Sequence, residues 1–269
     1  IVKKYPKRTF FQIGETYGSS ELISSYVKKG MLDAQFDFNI YDSYIYSVID
    51  KEGSFINLAT TINNSMRTYG FHNLMGLISG NQDRPRFISL AGGALNKDED
   101  SKLAGWKRNI GVGNEIGYER VSMLNALIMT LPGVPCIYYG DEYGQPGAND
   151  PDNRRWMKFE GYSQKEKQLR DELAKLIKLR KMKLPLIFGD YYELYTDKDA
   201  FAYCRMYMGE IIIIALNKSS EEINLKLVLP VNLSKDSLTE FKGKIISSKV
   251  NELEINVQEN SFSIIQANF

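Results

Sequence analysis

Histidine is almost missing from this chain: His72 is the only one in 269 residues. The two cysteines, Cys136 and Cys204, lie 68 positions apart and belong to no motif. A four-ligand zinc site is therefore excluded, and a Ser-His-Asp triad would have to be built on His72 alone. An excess of either charge is missing too. Lys plus Arg is 34 against 33 for Asp plus Glu, a net charge of +1, where a nucleic-acid binder usually shows a basic excess and a membrane-surface protein a polybasic patch. No apolar run reaches the roughly 18 residues of a membrane-spanning helix, and neither repeats nor low-complexity tracts occur. What is present is ordinary globular composition, 43% hydrophobic and 25% charged. If such a chain is an enzyme, carboxylates are its expected chemical currency.

The chain begins at Ile1 and its first methionine is Met31. That start reads as a processed, truncated or proteolysed chain, or as part of a longer one. Residues 1–10 hold no apolar stretch of signal-peptide length, so any targeting signal has already gone or was never there, and location is not read from the N-terminus. The length suits one large domain or two smaller ones.

The pattern changes character near residue 185. Before it, apolar runs at 10–14, 34–40, 74–79 and 136–139 read as strands, the first of them buried. Stretches at 20–29, 54–69, 118–130 and 163–181 have helical spacing, with Ser20 a candidate N-cap and Leu131-Pro132-Gly133 a stop signal. A βαβαβαβα order implies parallel strands with helical crossovers. Four such units make half of a (β/α)8 barrel. The alternative, an open flavodoxin-like sheet, usually places a Gly-rich phosphate turn after its first strand, whereas this chain places Glu15 there. From 186 to 269, seven short runs separated by turn signals read as an antiparallel β-sandwich. The expected organisation is thus α/β over 1–185, followed by an all-β domain over 186–269.

Three of the four expected strands end in acid: Glu15, Asp83, and the pair Asp141 and Glu142. Carboxylates at the C-terminal ends of parallel strands face one rim, where barrel enzymes keep their active sites. A pair of carboxylates around one sugar is what a retaining glycosidase needs: a general acid with a raised pKa and an ionised nucleophile. Taken singly, each acid reads equally well as a helix cap or a loop solvator.

In these motifs the sequence resembles the α-amylase superfamily of (β/α)8 glycoside hydrolases. F-Q-I-G-E-T at 11–16 is similar to the strand-five motif that carries the general acid, and G-N-Q-D-R-P-R-F at 80–87 to the strand-seven motif. P-C-I-Y-Y-G-D-E-Y-G at 135–144 resembles strand eight, and G-A-N-D-P-D-N-R-R-W-M at 147–157 the loop after it, most of all in the neopullulanase and cyclomaltodextrinase branch. The resemblance spans about 1–185 in the family's order, and the all-β tail matches the family's C-terminal sandwich.

The resemblance implies roles. Glu15 would be the general acid/base and Asp83 the carboxylate that grips the sugar 2- and 3-hydroxyls. Asp150 and Arg154 would hydrogen-bond a glucose further toward the non-reducing side, or else form a loop salt bridge. Asp141 and Glu142 are expected to organise their loop. Tyr17 and Trp156 are candidates for stacking on sugars or for packing, and His72 is expected to pack or cap near the third strand. Two departures stand out. Gln82 occupies the family's usual His position and cannot become cationic, so sugar binding would survive while transition-state stabilisation weakens. The nucleophile of strand four, with strands one to four and the inserted domain that often binds calcium, falls outside these residues. The residues present require no cofactor or metal.

The implied activity is retaining hydrolysis of α-1,4 links in starch, maltodextrin or cyclodextrin, with the isolated chain inactive and its partner the missing N-terminal half of the barrel. The alternatives are an α-glucan transglycosylase and a non-catalytic amylase-like binding protein. The family's use on polymeric glucans favours an extracytoplasmic location, periplasmic or surface.

Overall fold

The computed structural model describes residues 10–70, 73–235 and 237–269. His72 lies outside the described residues. The first part of the chain runs β1 (Ile13–Gly14), α1 (Ser20–Lys28), β2 (Ala34–Gln35), α2 (Phe38–Ile49), α3 (Phe55–Tyr69), β3 (Gly76–Ile78), α4 (Phe87–Ala91), α5 (Ser101–Lys107), α6 (Ile116–Thr130), β4 (Val134–Cys136), α7 (Gln164–Met182) and α8 (Leu184–Phe188). The four strands are parallel and adjacent in chain order. Ile13 pairs with Ala34, Phe36 bridges to Gly76, and Ile78 pairs with Cys136. Helices lie between successive strands, as the hydrophobic pattern predicts.

Several expectations need correction. Ser19, not Ser20, caps α1: its hydroxyl accepts from Leu22 N at 3.3 Å. The run 34–40 is a strand only to Gln35, because the Asp37 side chain accepts from Ile40 N at 3.3 Å and starts a helix there. The last strand is 134–136 and not 136–139, since Tyr138 and Tyr139 already belong to the rim loop. The run at 10–14 is largely exposed, because among the described residues β1 has a strand neighbour on one side only, β2. Helices α2, α4, α5 and α8 were not foreseen.

The second part holds β5 (Asp190–Thr196), β6 (Ala200–Tyr207), β7 (Glu210–Asn217), β8 (Ile223–Val228), β9 (Thr239–Lys242), β10 (Lys244–Lys249), β11 (Glu252–Val257) and β12 (Ser261–Asn268). They form a five-stranded antiparallel sheet, β5-β6-β7-β12-β9, and a three-stranded one, β10-β11-β8. Strand β9 is the one not expected. The inner strands β6 and β7 are buried on both faces, so they read as continuous apolar runs. One face, with Ile211, Ile213 and Ala215, packs on Leu225, Leu227 and Ile255 of the smaller sheet. The other face, with Phe201, Ile212, Ile214 and Phe262, packs on the helices of the first part in one continuous core.

Helix α6 sits at that junction and is buried on nearly every side from Val121 to Thr130. Its C-terminal carbonyls would otherwise be orphaned. Arg180 donates to the carbonyls of Met129 and Leu131 at 2.8 and 3.2 Å, and Arg205 of β6 donates to that of Thr130 at 2.6 Å. Two cations at the end of α6 also suit its dipole, so the two parts are joined by polar as well as apolar contacts.

Candidate active site

The candidate residues come from the loops that follow β1, β3 and β4. Glu15 directly follows β1 and is exposed. The turn after β3 carries Asn81, Gln82 and Asp83. Asn81 ties the two acids together: its amide donates to Glu15 Oε1 at 3.1 Å, and its side-chain oxygen accepts from Asp83 N at 3.0 Å. Gln82 Nε2 donates to Asp83 Oδ2 at 3.0 Å, and Arg154 donates to Asp83 Oδ1 at 3.2 Å. Arg154 also meets Asp150 Oδ1 at 2.9 Å and the Gln82 carbonyl at 3.2 Å. Glu15, Gln82, Asp83, Asp150 and Arg154 therefore belong to one polar network. Asp83 faces solvent with two donors already on it, an arrangement suited to exchanging those contacts for sugar hydroxyls.

Beneath this network lies a buried brace. Arg86 is 2% exposed and pairs with Asp141 Oδ1 at 2.8 Å. It also donates to the carbonyls of Tyr139 and Asn153 at 2.6 and 2.9 Å, and its guanidinium lies 4.3 Å from the Tyr138 ring centre. Asp141 Oδ2 accepts from Ser79 Oγ at 2.6 Å. Burial pushes the Asp141 carboxyl above the usual range, with Arg86 and Ser79 pulling against it. Asn153 completes the brace by donating to the carbonyls of Gln82 and Arg84 at 2.7 and 2.8 Å. The Asp83 turn is thus fixed from below by the loop that carries Asp150 and Arg154. Glu142 accepts from Gly140 N at 2.6 Å and so binds its own loop, whereas Asp141 ties that loop to Ser79 and Arg86 of the segment that follows β3.

Asn81 and Arg86 were missed as site residues. Both lie inside the quoted G-N-Q-D-R-P-R-F segment, and the signal was the segment itself rather than either residue alone. Aromatic side chains stand around the rim. Tyr17 is 71% exposed, with the Arg84 guanidinium 5.2 Å from its ring centre and Phe38 edge-on at 5.8 Å. Arg84 is held in turn by an ion pair with Asp42. Trp156 is 96% exposed. Among the described residues no three His, Cys, Asp or Glu side chains are grouped as a metal site, and no helix is long and apolar enough to cross a membrane.

The model of the α-amylase catalytic domain family matches residues 1–184. The chain belongs to the α-amylase family. It is 33% identical over 143 residues to a cyclomaltodextrinase of Thermoanaerobacter pseudethanolicus, a match covering 53% of this chain and 21% of that protein. It is also 33% identical over 132 residues to neopullulanase 2 of Thermoactinomyces vulgaris, covering 48% of this chain and 22% of that one. Among solved structures it resembles an α-amylase from Geobacillus thermoleovorans complexed with acarbose. That match has a TM-score of 0.78 and 25% identity, and covers 99% of this chain and 55% of the other. The chain thus spans about a fifth of the curated relatives and about half of the solved amylase. By name these relatives are a cyclomaltodextrinase, a neopullulanase and an α-amylase, in keeping with the motifs.

Proposed function

We propose that β1 to β4 are strands five to eight of a (β/α)8 barrel, and that this chain supplies the acid/base half of an α-1,4-glucan hydrolase acting on starch, maltodextrin or cyclodextrin. The observation that carries the reading is Asn81, which holds Glu15 and Asp83 together at one rim. In the retaining double displacement, Glu15 protonates the leaving glycosidic oxygen, and Asp83 binds the sugar hydroxyls as the ring gains oxocarbenium character. An aspartate on strand four forms the glycosyl-enzyme bond, and Glu15 then takes a proton from the attacking water. Gln82 keeps a neutral hydrogen-bonding amide beside Asp83, while Asp150 and Arg154 hold a glucose toward the non-reducing end.

The first four strands are the natural partner of this chain. Among the described residues, strands β1 and β4 each have one strand neighbour, which leaves two edges open. Phe10, Phe11 and Ile13 stand exposed beside the β1 edge. Residues 1–269 alone are expected to show no turnover of nitrophenyl maltooligosaccharides. The chemistry uses carboxylates only, and any calcium would belong to the domain inserted in the first half. Action on polymeric glucans favours a periplasmic or surface location for the whole protein.

Product analysis of the complete enzyme with maltoheptaose and β-cyclodextrin tests the reading. Shorter maltooligosaccharides with retained anomeric configuration are expected. Longer or cyclic products would instead identify a transglycosylase, in which a sugar hydroxyl replaces water. Binding without any product would identify a non-catalytic binder.

A further inference from the structure

Helix α5 stands beside the loop that carries Asp150 and Arg154. Its Ala104 side is buried with Leu95, Ile110 and Ala148. Gly105 lets it approach unusually closely: a Cβ there would lie 2.9 Å from Ala148 Cβ and 3.0 Å from Asp152 Cβ. From this seat Lys102 reaches Asp150, with Nζ 3.6 Å from Oδ2. Trp106 follows Lys102 by four residues and so shares its helix face, about 5–6 Å away between Cβ atoms. Its side chain is 72% exposed. Among the described residues nothing packs over this large aromatic ring, which stands in water on the face of α5 that meets Asp150.

We propose that Trp106 and Lys102 form an outer sugar subsite for an α-glucan chain, continuing the line from Asp83 through Arg154 and Asp150. The indole would stack on the apolar C–H face of a glucose unit, and the Lys102 ammonium would donate to a hydroxyl at its rim. Such a site serves chains that extend beyond the Asp150–Arg154 position, and it gives the enzyme a preference for longer oligosaccharides. It rests on the α-glucan reading above.

Calorimetric titration of the complete enzyme with maltotriose and maltoheptaose decides it, on a Glu15→Gln background so that both sugars survive. Trp106→Ala should weaken maltoheptaose binding roughly five- to tenfold and maltotriose binding less than about twofold. Trp106→Phe, which keeps an aromatic face, should stay within about twofold of the parent for both. An equal loss for the two sugars, or no loss for maltoheptaose, overturns the subsite while leaving the α-glucan reading in place. A parent protein that binds neither sugar overturns both.

Discussion

The two parts of the chain solve opposite problems. In the parallel part each strand is two or three residues long, two sheet edges are open among the described residues, and the candidate site residues sit on the loops. In the antiparallel part the longest strands run to eight residues, and the inner ones are buried on both faces. The first part therefore presents polar side chains at a rim, and the second closes a core. Helix α6 and its two capping arginines carry load between them. The division teaches that a rim substitution should change rate with little change in stability, while a sandwich substitution should do the reverse. Each prediction below tries to break that separation.

The largest effect is expected at Glu15. Glu15→Gln keeps the shape and removes the transferable proton, and general acid catalysis contributes about 10²–10⁴ in rate. Turnover of maltooligosaccharides by the complete enzyme should fall by that order, and that of a glycosyl fluoride, whose leaving group needs little protonation, by less. The melting temperature should not move, because the exposed carboxylate has one described side-chain partner, Asn81. Equal retention of both activities would remove Glu15 from the role of acid.

The mirror experiment lies in the sandwich. Ile213 is fully buried between the two sheets. Ile213→Ala should cost about 2–5 kcal/mol through lost transfer energy and a residual cavity. Denaturant unfolding would read that loss, while kcat at a temperature well below the melting point should stay near the parent value. A fall in kcat with unchanged unfolding would break the separation.

How legible this was differs between the parts. The acids and their rim were legible because motif segments fixed Glu15, Asp83, Asp150 and Arg154 without reference to contacts. The sandwich was legible from β-branched runs between turn signals, apart from β9, whose Thr-Glu-Phe-Lys has no strong apolar pattern. Helix α2 was not legible, since Ala34–Ile40 alternates as a strand would until the Asp37 cap overrides the pattern. The Arg86–Asp141 brace was hidden for another reason. Nothing local marks an arginine as 2% exposed when its partners lie more than 50 residues away.

Gln82 offers a smaller and sharper test. Its amide donates to Asp83 and its carbonyl is fixed by Asn153 and Arg154. The backbone half of these contacts survives substitution, so the turn should hold in Gln82→Ala. Loss of a sugar contact should lower kcat/KM roughly tenfold, equivalent to about 1.4 kcal/mol. Gln82→His should keep or raise activity below about pH 6.5, where an imidazolium forms. A drop in melting temperature with unchanged kcat/KM would mean instead that the side chain serves only the loop.

The smallest effect is expected at the start of α7, which packs on α6. Ser163 and Glu166 form a capping box: the Ser163 hydroxyl accepts from Glu166 N at 3.3 Å, and Glu166 Oε2 accepts from Ser163 N at 2.5 Å. Lys158 Nζ donates to the same oxygen at 2.7 Å. Burial alone would raise the Glu166 carboxyl, but Lys158 and the Ser163 amide outweigh it and hold the group below its ordinary value of 4.5. A carboxyl depressed in the folded state stabilises the fold above its unfolded pKa, and loses that contribution as pH falls through the folded one. Ser163→Ala should cost about 1 kcal/mol at neutral pH. Glu166→Gln should lower the melting temperature at about pH 7, and its difference from the parent should shrink as pH drops below about 4.5, where the parent carboxyl begins to protonate. Melting curves of the two proteins across that range would show it, and a difference that stays constant with pH would mean that the ionised carboxylate adds nothing to the cap. Throughout, kcat at permissive temperature should remain unchanged, because Ser163 and Glu166 make none of the hydrogen bonds that join Glu15, Gln82, Asp83 and Arg154.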